Sequence, residues 1–403
     1  MNRINVKREL YLTSILFIVF FSAIVLRTES TINLYAAISI FVVGIILLDF
    51  TFPRNTNWLV SFRVNVFWVW MLLLFGMYFF YGIVKTKYDY FSISYFIFML
   101  GMIISIYLLL INVNIESLMH IFLNTTTVTA ISTCIFIIFN EIDLIKYGQA
   151  RIGDTASGNV NTLAVYLGTM SVPILFSLIF QKKRSLIIIY TLLIFFMLLT
   201  GSKKTFIYVG SSMALFAYFK NKFNIFKYLP YIFSLVLIVI IILRIDYLYN
   251  IIGFRILDFL GTIGFNVFYY NPSYSTEMRA SMLEVGLKFF SNHPIFGNGW
   301  GYFTKYSGFA TYSHNNMIEL LVNYGLIGFC LYYFIYIYLL YKLIKIYKKF
   351  RSQFSVLFIT LLIVIIISDF TYVSFSFNLI NYLILVIIYI YLNKCKYNNN
   401  YIW

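Results

Sequence analysis

Charge is what this sequence has least of. Only 11% of its 403 residues are charged and 62% are hydrophobic, where soluble globular chains carry about one quarter charged residues. That excludes a soluble globular domain and leaves an integral membrane protein, in keeping with a mean hydropathy of +0.87. Acidic residues are the scarcer sign, 14 against 30 basic, for a formal charge of +16. The excess does not point to nucleic acid. The basic residues sit in short connections between apolar runs, as cytoplasmic loops require, and no basic and aromatic interleaving makes a strand-binding groove. Cysteine is limited to Cys134, Cys330 and Cys395, scattered and without a CxxC pair, so neither a disulfide framework nor a metal site is expected. The amino terminus, MNRINVKREL before an apolar run, lacks a small-x-small cleavage site, so the reading is an uncleaved first span. No segment alternates apolar and polar residues as a membrane β-barrel strand does.

Apolar runs of about 20 residues recur instead, long enough to cross a bilayer as helices. The fold expected is an all-α polytopic membrane protein, one domain over residues 1–403, with about twelve transmembrane helices. The runs are Leu10 to Leu26, Ile32 to Phe50, Val64 to Gly82, Phe91 to Ile111, Leu118 to Phe139, Asn161 to Phe180, Leu186 to Thr200, Phe206 to Phe219, Leu229 to Leu243, Met317 to Tyr341, Phe354 to Ser368 and Phe377 to Leu392. With the amino terminus inside, the basic connections at 54–63, 182–184, 220–227, 342–351 and 394–396 are all cytoplasmic, as the positive-inside rule asks. Two outer loops follow, 140–160 and a long one at 244–316.

The long loop concentrates the chemistry. Met278, Met282, Val285 and Phe289 fall at helical spacing and predict an amphipathic helix over 277–290. Asn292 to Gly301, with one Pro and three Gly, predicts an irregular turn. Ser313 is the expected cap of the next span. Arg279 here and Arg151 in the other loop carry forked donors that match phosphate oxygens; either is equally a loop cation paired with Glu277 or Asp154. His314, at the membrane surface, is of the type that serves as base for a sugar hydroxyl near neutral pH, or is simply structural. Glu284 and Glu319 could act as a carboxylate pair. GSKKT at 201–205 lacks the earlier glycine of a phosphate-binding loop.

Taken in order, ARIGDTASGNVNTLAVYLG, LLTGSKKTFIYVGSS and the run HPIFGNGWGYF to SHNNMIELLVNYGLIG resemble the signatures of the O-antigen ligase and Wzy-type polysaccharide polymerase superfamily. Relatives usually have Arg where this chain has Lys203. The resemblance implies a GT-C-like, metal-independent, inverting glycosyltransferase without a cofactor, in the bacterial cytoplasmic membrane with its active site on the periplasmic side. Its donor and acceptor would be undecaprenyl-pyrophosphate-linked glycans, with membrane lipid and a chain-length regulator as further partners and no nucleic acid. By the same resemblance Arg151 and Arg279 hold the pyrophosphate and His314 activates or orients the acceptor hydroxyl. Asn161, Lys203, Asn315, Glu319 and Gly299 are the candidate substrate-binding residues, Glu319 from one step behind. The expected function is an O-antigen or capsule polymerase. The alternatives are an O-antigen ligase acting on lipid A core or protein, and a lipid-linked oligosaccharide flippase.

Overall fold

The computed structural model describes residues 3–25, 65–82, 90–147, 152–153, 159–221, 240, 243–246, 249, 253–262, 274–375 and 378–397. The apolar runs within them fold as helices: α1 (Arg3–Val25), α2 (Val66–Phe80), α3 (Tyr90–Leu110), α4 (Ile115–Tyr147), α5 (Val160–Ile179), α6 (Ile187–Leu199) and α7 (Lys204–Asn221). There follow α8 (Phe254–Thr262), α9 (Tyr274–Asn292), α10 (Tyr302–Tyr306), α11 (Asn316–Phe350), α12 (Gln353–Ser368) and α13 (Leu379–Tyr397). No strand occurs among the described residues. Five stretches there are long and apolar enough to cross a membrane: Lys7–Val25, Ile115–Glu141, Val160–Ile179, Asn316–Phe350 and Leu379–Lys396. Val66–Phe80, Phe96–Leu110, Arg184–Leu199 and Gln353–Ser368 are apolar but shorter. The expected spans Ile32 to Phe50 and Leu229 to Leu243 lie outside the described residues, apart from Ile240 and Leu243.

Where the structure departs from the sequence reading, side chains explain it. α4 does not stop at Phe139 but runs to Tyr147, bending at Glu141 (φ −130, ψ 19). The bend lets the buried Glu141 carboxylate accept the Gly153 N–H at 2.6 Å, so the expected 140–160 loop begins as helix. The 244–316 stretch, expected as a loop with one amphipathic helix, holds α8, α9 and α10. On α9 the expected stripe is real: Met282 is buried and Phe289 half-buried, with Gly286 between them also buried.

The chain divides into two compact units. The first comprises Met1–Thr125, Arg279–Leu362 and Asp369–Trp403. Its core is aromatic. Trp300 lies with ring centroids 5.2 Å from Phe96 and 5.4 Å from Phe375, and Tyr78 lies 5.4 Å from Tyr324; edge and tilted pairs of this kind add about 0.5–1.5 kcal/mol each beyond the area they bury. α2 starts at Asn65, whose side chain accepts the Phe67 and Trp68 N–H groups, and packs on α11 where Trp70 Nε1 donates to the Leu331 carbonyl at 2.7 Å. The second unit comprises Thr126–Met278 and Ile363–Ser368. There α5, nearly all buried, meets α7 face to face: a Cβ at Gly168 would come within 2.5 Å of the Tyr208 ring.

Candidate functional site

In the first unit the site is built on α9, α11 and the turn that joins them. α11 is broken at Gly325 (φ 65, ψ −163), and the break is filled by the Pro-Gly turn. The Val322 and Asn323 carbonyls, which a continuous helix would give to residues four further on, accept instead from Asn298 N at 2.8 Å and Gly299 N at 2.9 Å. The freed Leu326 and Ile327 N–H groups donate to the Pro294 carbonyl at 2.8 Å and the Ile295 carbonyl at 3.3 Å. Two helix rungs are thus exchanged for four bonds to the turn, which keeps the backbone groups of the break satisfied where water is scarce. Glycine is required on both sides: a Cβ on Gly297 would lie 2.5 Å from the Gly325 nitrogen, and one on Gly325 would lie 2.3 Å from the Ile295 oxygen. Gly299, a candidate for substrate, therefore spends its N–H on the helix.

Arg279 lies half-buried on α9. It precedes Gly286 by two turns, about 10 Å along the helix, and so shares its face. That face meets the first turn of α11, since a Cβ on Gly286 would come within 2.3 Å of the Ile318 side chain.

His314 sits two residues before α11, in the left-handed region at φ 55. For a non-glycine residue that conformation costs about 1–2 kcal/mol, and neighbouring bonds hold it. Glu319, buried at 4% exposure, accepts the Ser313 N–H at 2.9 Å through one oxygen, and the Asn323 amide approaches its other oxygen at 3.4 Å. Asn315, not Ser313, caps α11, its Oδ1 accepting from Met317 N at 2.9 Å and Ile318 N at 3.2 Å; Ser313 Oγ donates to the Asn315 carbonyl at 3.0 Å. The Tyr312 ring lies 4.4 Å from the imidazole, centroid to centroid. Glu284 is exposed on α9 while Glu319 is buried under the turn, so the two carboxylates have separate surroundings.

Beneath this turn lies a buried network that the sequence reading missed. Asn316, fully buried, donates through Nδ2 to Asp369 Oδ2 and to the Tyr333 hydroxyl, both at 3.1 Å. Its Oδ1 accepts the Ser374 N–H at 2.8 Å and the Phe375 N–H at 2.9 Å. Its own N–H donates to the Asp369 carbonyl at 2.8 Å. Asp369 further accepts from Tyr333 at 2.9 Å and from Ser374 Oγ at 2.6 Å. Burial pushes its carboxyl up to about 7, against the lowering by the bonds from Ser374, Tyr333 and Asn316. One signal could have found it: Asp369 is the only acidic residue after Glu319.

In the second unit the two upstream motifs do meet. Ser202 Oγ donates to Asn161 Oδ1 at 3.0 Å, beside the α5 start that Asn159 caps. Ile152 N donates to the Leu199 carbonyl at 3.4 Å, two residues before the Gly201 bend (φ 58). Lys203 is half-buried at that bend, and the next residue, Lys204, is buried at 2% exposure. Arg151 lies outside the described residues.

Against known proteins, the family model described as O-Antigen ligase (Wzy_C) matches residues 187–333. The match takes in Lys203, Arg279, Gly299, His314, Asn315 and Glu319 and leaves out Arg151, Asn161 and Asp369. No curated protein matches the chain. Members of the matched family are glycosyltransferase-like enzymes, and its apolar helices make this chain a multi-pass membrane protein. The match, over residues 187–333 of 403, makes that part of the chain similar to the O-antigen ligase and Wzy-type superfamily.

Proposed function

We propose that the protein is an O-antigen or capsule polymerase, transferring an undecaprenyl-pyrophosphate-linked glycan to a hydroxyl of another lipid-linked repeat unit on the outer face of the cytoplasmic membrane. The observation that carries this reading is the family match over 187–333, which contains Arg279 and the His314 turn. The outward placement is supported by α11, which carries His314 just before one end and Lys342, Lys345, Lys348, Lys349 and Arg351 at or beyond the other, since basic ends stay in the cytoplasm.

The chemistry follows from the residue types. As the bond from the anomeric carbon to the pyrophosphate oxygen breaks, its electron pair leaves with the pyrophosphate, and the Arg279 guanidinium stabilises that gathering charge. A ring nitrogen of His314 takes the proton of the acceptor hydroxyl as its oxygen attacks from the opposite face, inverting the centre without a metal. Glu319 keeps the imidazole aimed by holding the turn. Arg151 and Lys203 keep the roles of cations toward the anionic donor, and Asn161 and Asn315 those of neutral polar contacts, on the resemblance alone.

The ligase reading stands beside this one because the matched family is described by that activity. Gel analysis of surface and lipid-linked glycans in the native host separates them, comparing wild type, a deletion and His314→Ala. A polymerase gives a ladder that collapses to single repeats in both strains. A ladder persisting on the lipid carrier without reaching its acceptor makes the protein a ligase, and loss of all repeats from the outer face makes it a flippase.

A further inference from the structure

The His314 turn is fixed from above by Glu319 and from below by Asn316, and the lower fixing reaches a part of the chain that the family match does not cover. Asn316 is the first residue of α11 and directly follows the Asn315 cap. All the polar groups of its side chain and its backbone N–H end on residues 333 and 369–375. Asp369 is the hub, its two oxygens gathering Asn316, Tyr333 and Ser374. Ser374 passes the network to Tyr332 at 2.9 Å, and Tyr332 to Tyr336 at 3.1 Å, back on α11. A structural brace alone could use apolar packing, and replacing a buried polar cluster by apolar groups of the same shape is often neutral. What the polar version adds is a single allowed geometry, since each donor has one acceptor to meet.

We propose that Asp369 is a positioning residue for the His314 turn, acting through Asn316, and that the functional machinery therefore extends beyond residue 333 to the 369–375 turn between α12 and α13. The consequence for glycan transfer rests on the proposed function; the positioning itself does not. Asn316 offers an amide to a carboxylate, and the pair can be exchanged. Asn316→Asp alone sets two carboxylates face to face. Adding Asp369→Asn restores a donor opposite an acceptor, with the new carboxylate at 316 accepting from Ser374 N, Phe375 N and Tyr333, and the Asn oxygen accepting from Ser374 Oγ.

The test uses the full chain in its native host for the glycan ladder, and the same proteins purified in detergent for hydrogen–deuterium exchange of peptides covering 312–320. Asn316→Asp and Asp369→Ala are expected to shorten or abolish the ladder and to speed exchange about tenfold, the scale of one lost hydrogen bond. The double variant is expected to recover both. Exchange at wild-type rate in the single variants, or a double variant no better than Asn316→Asp or failing to accumulate, overturns the proposal. His314→Ala serves as the separate check: a full ladder there sinks the transfer reading while the exchange result still decides the positioning role.

Discussion

Glu319 is placed so that one substitution separates holding from chemistry. Its carboxylate satisfies the Ser313 N–H and faces the Asn323 amide from within the protein, so Glu319→Ala leaves buried donors unpaired at a cost of about 1–3 kcal/mol. Glu319→Gln keeps one acceptor oxygen and the shape. The expected order of thermal stability in detergent is wild type, then Gln, then Ala, with product formation falling in the same order while donor binding is kept. Loss of donor binding in the Gln variant would instead make Glu319 a direct contact. Asp369 titrates in a second way. Its folded value near 7 stands above the ordinary 3.8, so the folded chain holds a proton that the unfolded chain releases between those values. The stabilising contribution is full below about pH 4 and lost as pH rises through about 7. Wild type is expected to lose melting temperature between about pH 4 and 7 and to level off above that, and Asp369→Asn, which does not titrate, to lose less over that window; equal slopes would assign the effect to another group.

At the level of elements, the break in α11 makes a matched pair of glycine substitutions informative. Gly325→Ala would put a Cβ at 2.3 Å from the Ile295 oxygen in a left-handed conformation, and undoing the exchanged rungs is expected to unfold the α9–α11 junction. Gly101→Ala in α3 meets nothing within 4 Å and is expected to leave the melting temperature unchanged or raise it, by about 0.5–1 kcal/mol of helix preference. A loss from both, measured side by side in detergent, would mean that glycine spacing in general rather than this junction matters. Caps set a similar scale: Asn65→Ala removes the acceptor for Phe67 and Trp68 N–H, worth about 0.5–2 kcal/mol.

These elements also mark what was legible in the sequence. Helix positions were readable from apolar runs, because burial in lipid or core demands them locally. The amphipathic face of α9 was readable from Met282 and Phe289 for the same reason. The break at Gly325 was not, since NYGLIG reads as an ordinary span until its partner turn, residues 294–299, is placed beside it. Arg279 and His314 were singled out by chemical type alone. Asn316 and Asp369 did not announce their pairing, being separated by a whole helix pair, although Asp369 stands out as the only acidic residue after Glu319.

For the whole molecule the main expectation is orientation. α11 separates the exposed Lys305 of α10, eleven positions before Asn316, from the exposed Lys348 at its far end. In a background without native cysteines, Lys305→Cys is expected to react with a membrane-impermeant maleimide in spheroplasts, and Lys348→Cys only after lysis. The reverse pattern would put the His314 turn in the cytoplasm and remove the lipid-linked donor from its reach. The exchanged rungs carry a last consequence, for how such a chain can change its substrate. The turn at 294–299 is sewn into a helix and tolerates no added residue, whereas Thr304, Lys305, Tyr306, Gly308 and Ala310 are exposed and a Cβ at Gly308 meets nothing. On the proposed function, insertions near Gly308 are therefore the route by which a different glycan could be accommodated without disturbing α9, which carries Arg279, or the start of α11 that follows His314.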